Sequence, residues 1–177
     1  MTILTGARYR PIAILTYIAL VTIMGVVSVQ AATIGLTKGT EVKARFTAKT
    51  KISSGALNKD VPIFFTLAEP VVIGGKTIVE AGAQGTAKVV EVKKAGGAGK
   101  PGYIKVAFVD LDPKGEYASP EGSKIKLTGE IPGIGKGKKF LSYLFIAGLF
   151  IKGGQGEIKA DSVYTAQVAE TIVLESK

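Results

Sequence analysis

Four carboxylates, Asp110, Asp112, Glu116 and Glu121, fall close together, and a pair of carboxylates across a cleft is what glycoside hydrolysis requires. They surround Asp112-Pro113-Lys114-Gly115, whose residue types favour a type I turn, so the spacing places them on a solvated turn rather than in a cleft. Tryptophan, the usual platform for stacking a sugar, is absent. Glycine clusters suggest a second chemistry, because consecutive backbone N–H groups can cradle an anion. A phosphate-binding P-loop needs Ser or Thr directly after Gly-Lys. Here Gly99-Lys100 is followed by Pro101, and Gly137-Lys138 by Lys139. The glycines also do not lie between a strand and a helix, as a dinucleotide fingerprint requires. They read as turns.

The chain has neither Cys nor His. Disulfides, thiolate nucleophiles and imidazole bases are therefore excluded, and with them the Ser-His-Asp and Cys-His arrangements. Zinc would have only carboxylates to hold it, and no Asp-rich loop suits calcium. No catalytic, cofactor or metal residue is assigned, and the expectation is a protein that is not an enzyme.

Binding remains. From Glu41 to Ile52 the sequence alternates: Val42, Ala44, Phe46, Ala48 and Ile52 face one way, and Glu41, Lys43, Arg45, Thr47, Lys49 and Lys51 the other. A period of two makes this a half-buried strand with a cationic outer face. A second basic stretch, Lys136, Lys138 and Lys139, follows Pro132-Gly133-Ile134-Gly135 in what reads as a flexible loop. Lys43, Arg45, Lys49, Lys136, Lys138 and Lys139 are thus candidates for an anionic surface. A solubilising, edge-protecting role for the same lysines stays open beside that reading.

The elements that must hold these residues read as strands. Val61–Ala68 is a short strand with proline near its start. Gly74-Gly75 between two β-branched runs signals a tight hairpin. In 85–94, Ala87, Val89 and Val92 share a face only if a bulge intervenes. Tyr103–Leu111, Ser123–Ile131 and Val163–Leu174 complete the set. Strands about ten residues apart, separated by Gly and Pro, predict an all-β fold, a small barrel or sandwich of about 7–9 strands.

One stretch departs from this pattern. Phe140–Ile151 is uncharged, with lysines on both flanks, and is shorter than the roughly 20 residues of a spanning helix. It suits either a short apolar helix or plug closing the barrel, or a segment meeting a membrane or partner through Phe140, Leu144, Phe145, Leu149 and Phe150.

The start of the chain sets the compartment. Arg8 and Arg10, the apolar stretch Ile12–Val29 and Val29-Gln30-Ala31 form the charge, apolar and small-residue pattern of a secretory signal peptide. An uncleaved anchor is the alternative. Two of the 23 basic residues and none of the 14 acidic ones lie within residues 1–31, so residues 32–177, read as one domain, carry +7. In an exported bacterial protein of the periplasm or cell envelope, such a charge favours anionic polymer, lipid or another envelope protein, and not nucleic acid.

Several short motifs carry a resemblance. They are Leu36-x-Lys38-Gly39-Thr40-x-Val42, Val71-Val72-Ile73-x-Gly75-Lys76, Ala81-Gly82-Ala83-x-Gly85-Thr86, Glu91-Val92-Lys93-Lys94-Ala95-Gly96, Gly99-Lys100-Pro101-Gly102, Phe150-Ile151-Lys152-Gly153 and Glu157-Ile158. Together they resemble a widespread group of exported bacterial β-domains of uncharacterised activity. More distantly, the rhythm is similar to the barrel domain of TrbI/VirB10-type conjugation proteins. That second resemblance implies an envelope module belonging to a secretion channel, with 140–151 as the hydrophobic insertion that reaches a membrane. The long proline-rich linker and cytoplasmic portion of that family are not seen here. The sequence therefore leads to a non-enzymatic envelope binding or scaffolding module, with a membrane-associated assembly subunit acting through 140–151 as the alternative.

Overall fold

The computed structural model describes residues 32–47, 51–137 and 152–177. The chain divides between Ala31 and Ala32 into two units, and the second of them holds every described strand.

Six antiparallel strands close into a barrel, and one more borders it. The wall runs β10 (Ile125–Thr128), β13 (Val163–Val168), β2 (Glu41–Phe46), β4 (Pro62–Leu67), β7 (Gln84–Lys93) and β8 (Tyr103–Leu111), and β8 returns to pair with β10. The seventh strand, β11 (Glu130–Ile134), continues β10 along β8. Gly129 joins them at φ +136°, a backbone state that L side chains rarely adopt, and the register against β8 slips by one residue across it. A barrel wall removes the exposed edges that would otherwise template aggregation.

Alternation fills the interior. Val42, Ala44 and Phe46 of β2, Ile63, Phe65 and Leu67 of β4, and Ile104, Val106 and Phe108 of β8 are all buried. The bulge expected in β7 is present: the register with β8 shifts between Val89 and Glu91, which brings Val92 back toward the core beside Ala87 and Val89. Phe108 stands edge-on to Phe65 at 5.1 Å and stacks on Phe46 at 6.0 Å between ring centroids. Phe65 faces Gly85 across the β4–β7 ladder, and its ring occupies the space that a Cβ at Gly85 would need.

The two ends of the barrel are covered differently. At the end defined by Glu41, Leu67, Gln84, Leu111 and Val168 lies a three-stranded sheet of β1 (Thr33–Leu36), β14 (Ile172–Ser176) and β9 (Tyr117–Ala118). The hairpin of β5 (Val71–Ile73) and β6 (Lys76–Val79) belongs to the connection between β4 and β7 at the same end. Its turn is the anticipated Gly74-Gly75, both at positive φ (57° and 79°), the geometry a two-residue hairpin demands. At the other end β3 (Ile52–Ser53) pairs with β12 (Glu157–Ile158).

Three boundaries differ from the sequence reading. The alternation over Glu41–Ile52 is not one strand: β2 ends at Phe46, and Ile52 belongs to the separate β3–β12 ladder. Likewise Val163–Leu174 is two strands, because the chain turns at Ala169–Thr171 and leaves the wall to pair with β1. In both cases the break preserves even-numbered parity, so Val42, Phe46 and Ile52, or Ala166, Val168 and Leu174, remain in phase and periodicity cannot reveal the break. Finally, the stretch read as a loop from Pro132 is strand β11 as far as Ile134, with Pro132 opposite Lys105. Proline is tolerated there because β11 is a terminal strand of the sheet order. Strands β1 and β9 lay below the length at which alternation gives a signal. The apolar stretch 140–151 and the signal-like residues 1–31 lie outside the described residues.

Candidate functional site: the glycine-built end of the barrel

At the β3–β12 end, four stretches of chain meet backbone to backbone. Gly102 N–H donates to the Gly154 carbonyl at 2.9 Å, Gly135 N–H to Gly102 at 2.9 Å, Gly154 N–H to Lys136 at 2.9 Å, and Gly153 N–H to Gly96 at 3.2 Å. At three glycines here a side chain cannot be accommodated. A Cβ on Gly135 would collide with the Gly154 carbonyl, one on Gly153 with that of Lys100, and one on Gly156 with that of Gly133. The obstructing atoms are backbone, which cannot swing aside. These glycines are thus required by close approach, and this explains clusters that the sequence suggested only as turns.

A buried polar trio fixes the arrangement. Ser54 is fully buried; its hydroxyl donates to Gln155 Oε1 at 2.8 Å and accepts from Gly156 N–H at 3.0 Å. Gln155 Oε1 also accepts from Ala95 N–H at 3.0 Å. The Ser54 N–H donates to the Gly156 carbonyl at 2.8 Å, so one serine ties the β3 turn to the 152–156 stretch through three hydrogen bonds. A buried hydroxyl with satisfied donor and acceptor roles stabilises; stripped of them it costs.

Lysines stand around this backbone platform. Lys93, Lys94, Lys100, Lys136 and Lys152 are all exposed. None of the stretches 92–104, 131–137 and 152–156 contains Asp or Glu. The carboxylates toward this end are Asp60, Glu91, Glu157 and Asp161, and two of them are already engaged. Glu157 lies 2.6 Å from Lys51 and Asp60 2.8 Å from Lys88, a bond that holds the Asp60 carboxyl below its usual range. The platform is therefore a positive surface.

The sequence-derived cations separate onto two surfaces. Lys43 and Arg45 lie on the outer wall of β2, and the Lys43 ammonium is taken up by Glu41 at 3.3 Å and Thr165 Oγ1 at 2.9 Å. Arg45 is exposed on the same strand, between Val163 and Thr66. Lys136 sits at the glycine platform. Lys49, Lys138, Lys139, Phe140, Leu144, Phe145, Leu149 and Phe150 lie outside the described residues. Lys93, Lys94, Lys100 and Lys152 were not singled out from sequence; the available signal was their position beside paired glycines in acid-free stretches.

The candidate carboxylates lie toward the opposite end, where residues 112–114 form irregular chain without the expected hydrogen-bonded turn, and a lysine engages two of them. Lys124 Nζ is 3.5 Å from both Asp110 Oδ1 and Asp112 Oδ1, and their negative charge, that of Asp110 foremost, raises the ammonium's pKa. Glu116 is exposed. Among the described residues no three acidic side chains are grouped to hold a metal ion. Elsewhere, Phe64 projects from β4 with 63% of its surface exposed, bordering an open cleft of about 280 Å³ that Lys51, Ile52, Leu57 and Pro62 help to line. No described helix is long and apolar enough to cross a membrane.

No protein-family model and no curated protein matches the chain.

Proposed function

We propose that this chain is a cell-envelope binding or scaffolding module without catalytic activity, which meets its partner through the basic, glycine-built end of the barrel. One observation carries the reading: the exposed lysines of three separate stretches converge on a platform held by backbone hydrogen bonds, while the nearby carboxylates Asp60 and Glu157 are paired with other lysines. A rigid platform presents charge without the ordering cost of a flexible loop. The barrel behind it is packed with apolar side chains, which supports a scaffold role. The export pattern in residues 1–31 supplies the compartment.

Affinity capture from envelope fractions tests this reading. The expected result is a co-purifying envelope component that is lost when Lys94, Lys100 and Lys152 are changed together. Turnover of a cell-wall polymer by the purified protein, abolished by Asp110→Asn, would overturn it.

A second reading is favoured by a specific contact. Gly154 N–H bonds to the Lys136 carbonyl, so the stretches on either side of 138–151 are joined at their base. An uncharged run rooted at a paired base suits a membrane-associated assembly subunit, in line with the resemblance to secretion-channel barrels. Under this reading Phe145→Asp with Leu149→Asp releases the protein from membrane fractions; unchanged fractionation refutes it.

A further inference from the structure

We propose that the lysines around the glycine platform form a docking collar for anionic lipid headgroups, so that the barrel stands end-on against a membrane surface. This rests on the binding reading and specifies its partner.

Charge is distributed along the barrel axis. The β1–β14–β9 end carries Glu69, Glu80, Asp112, Glu116, Glu170 and Glu175 among its lysines; Lys124 and Lys126 there are engaged with carboxylates, while Lys38, Lys76, Lys114 and Lys177 have no such partner among the described residues. At the opposite end Lys93, Lys94, Lys100, Lys136 and Lys152 have no carboxylate partner among the described residues. Their backbones are drawn together: Gly96 N–H also donates to the Lys100 carbonyl, at 3.1 Å. A Cβ at Gly154 would lie 3.1 Å from the Lys136 nitrogen, and one at Gly137 3.9 Å from Pro101. The loops therefore present their charges from one hydrogen-bonded body.

The shape of the platform favours a surface over a single small anion. Between the lysines the chain is rich in glycine, Gly97 and Gly137 are exposed, and Ile134 presents an apolar side chain with 70% of its surface exposed. Long lysine stems spread around this end can lay their ammonium groups on a broad array of phosphates while the methylenes cover apolar surface. The occupant follows from what the collar brackets in sequence: Gly137 and Lys152, both within it, flank Lys138, Lys139 and the uncharged stretch 140–151. A hydrophilic polyanion accounts for the lysines alone, whereas a lipid surface accounts for the lysines and for an apolar run rooted among them.

Flotation with phospholipid vesicles tests the proposal, using the protein purified in its processed form from the exporting cell. Vesicles of phosphatidylcholine alone are compared with vesicles containing phosphatidylglycerol, at low and high salt. Lys94→Gln/Lys100→Gln/Lys152→Gln is set against Lys38→Gln/Lys114→Gln/Lys177→Gln, which removes equal charge at the other end. A lysine near an anionic surface contributes about fivefold in binding, so the collar variant should lose about 100-fold on phosphatidylglycerol vesicles. The control should bind as the parent does, and salt should weaken the parent. Melting temperatures matching the parent show that both variants fold.

Equal losses in both variants would reduce the effect to net charge and overturn the collar. Binding to soluble polyphosphate with none to vesicles would overturn the lipid assignment. Capture of an envelope component that persists in the collar variant, with no vesicle binding by the parent, would sink both this inference and the platform reading; capture lost in the variant, with no vesicle binding, would sink the lipid partner alone.

Discussion

The two ends of this barrel are closed by opposite means. At one end, side chains do the work: Leu36, Ile78, Val79, Tyr117, Ile125 and Leu174 are buried beneath the β1–β14–β9 sheet and the β5–β6 hairpin. At the other, Ile52 and Ile158 are buried as well, but the closure is chiefly backbone against backbone across glycines, with Ser54 and Gln155 as the polar rivet. A side-chain plug derives its stability from apolar area removed from water and tolerates modest changes of shape. A backbone weave has no such tolerance, but it joins the lysine-bearing stretches into one hydrogen-bonded body.

The sharpest test of the comparison is to add a single methyl group to each end. Gly153→Ala and Gly156→Ala force a Cβ against a carbonyl that cannot move, and each should destabilise the fold by about 3 kcal/mol or more, measured by denaturant unfolding. Gly39→Ala, at the opposite end, has open space and only its φ of +87° to oppose it, so about 1 kcal/mol is expected. If the two ends responded alike, the weave would not be the more rigid of the two.

Removing methyl groups should reverse the ranking. Leu174→Ala and Ile78→Ala open cavities in the side-chain plug and should cost about 2–5 kcal/mol by thermal or chemical unfolding. Ser54→Ala removes one hydroxyl from the weave, leaving Gly156 N–H without its acceptor, and should cost about 1–3 kcal/mol. Hydrogen exchange would sharpen the result, with faster exchange at Gly156 in that variant while β1 and β14 remain protected.

The exposed ion pairs should matter least. Lys51→Ala, which releases Glu157, is expected to change stability by less than about 1 kcal/mol, an effect that added salt diminishes. Their pH dependence differs in sign. Lys88 lowers the Asp60 pKa, so the contribution of that pair is present above the ordinary carboxylate range and is lost as pH falls through the lowered value. Asp110 and Asp112 raise the Lys124 pKa, so that contribution is complete below about 10.5 and lost as pH rises through the raised value. Stability titrations of Asp60→Asn and Lys124→Gln should lose the acid and the alkaline limb respectively.

Much of the wall was legible from alternation. β2 and the bulged β7 carry their inward sets as the sequence indicates, and β4 and β8 fall where it indicates strands, because a period of two is a local property of the chain. The hairpin at Gly74-Gly75 was equally local. Illegible were the breaks after Phe46 and after Val168, where parity continues across a change of sheet, and β11, where Pro132 suggested a loop. The platform was half legible: its glycines and Lys136 were visible, but each looked like an independent turn.

The chain's residue types alone determined the all-β character, the absence of thiol and imidazole chemistry, and the positive balance beyond residue 31. These depend on composition and on neighbours in sequence. Which glycines face a carbonyl, which lysines share one end, and which carboxylates are already engaged were decided only by tertiary structure. Ser54 and Gln155, or Lys100 and Lys152, become neighbours only when the barrel closes and brings distant loops together, and no local pattern encodes that closure.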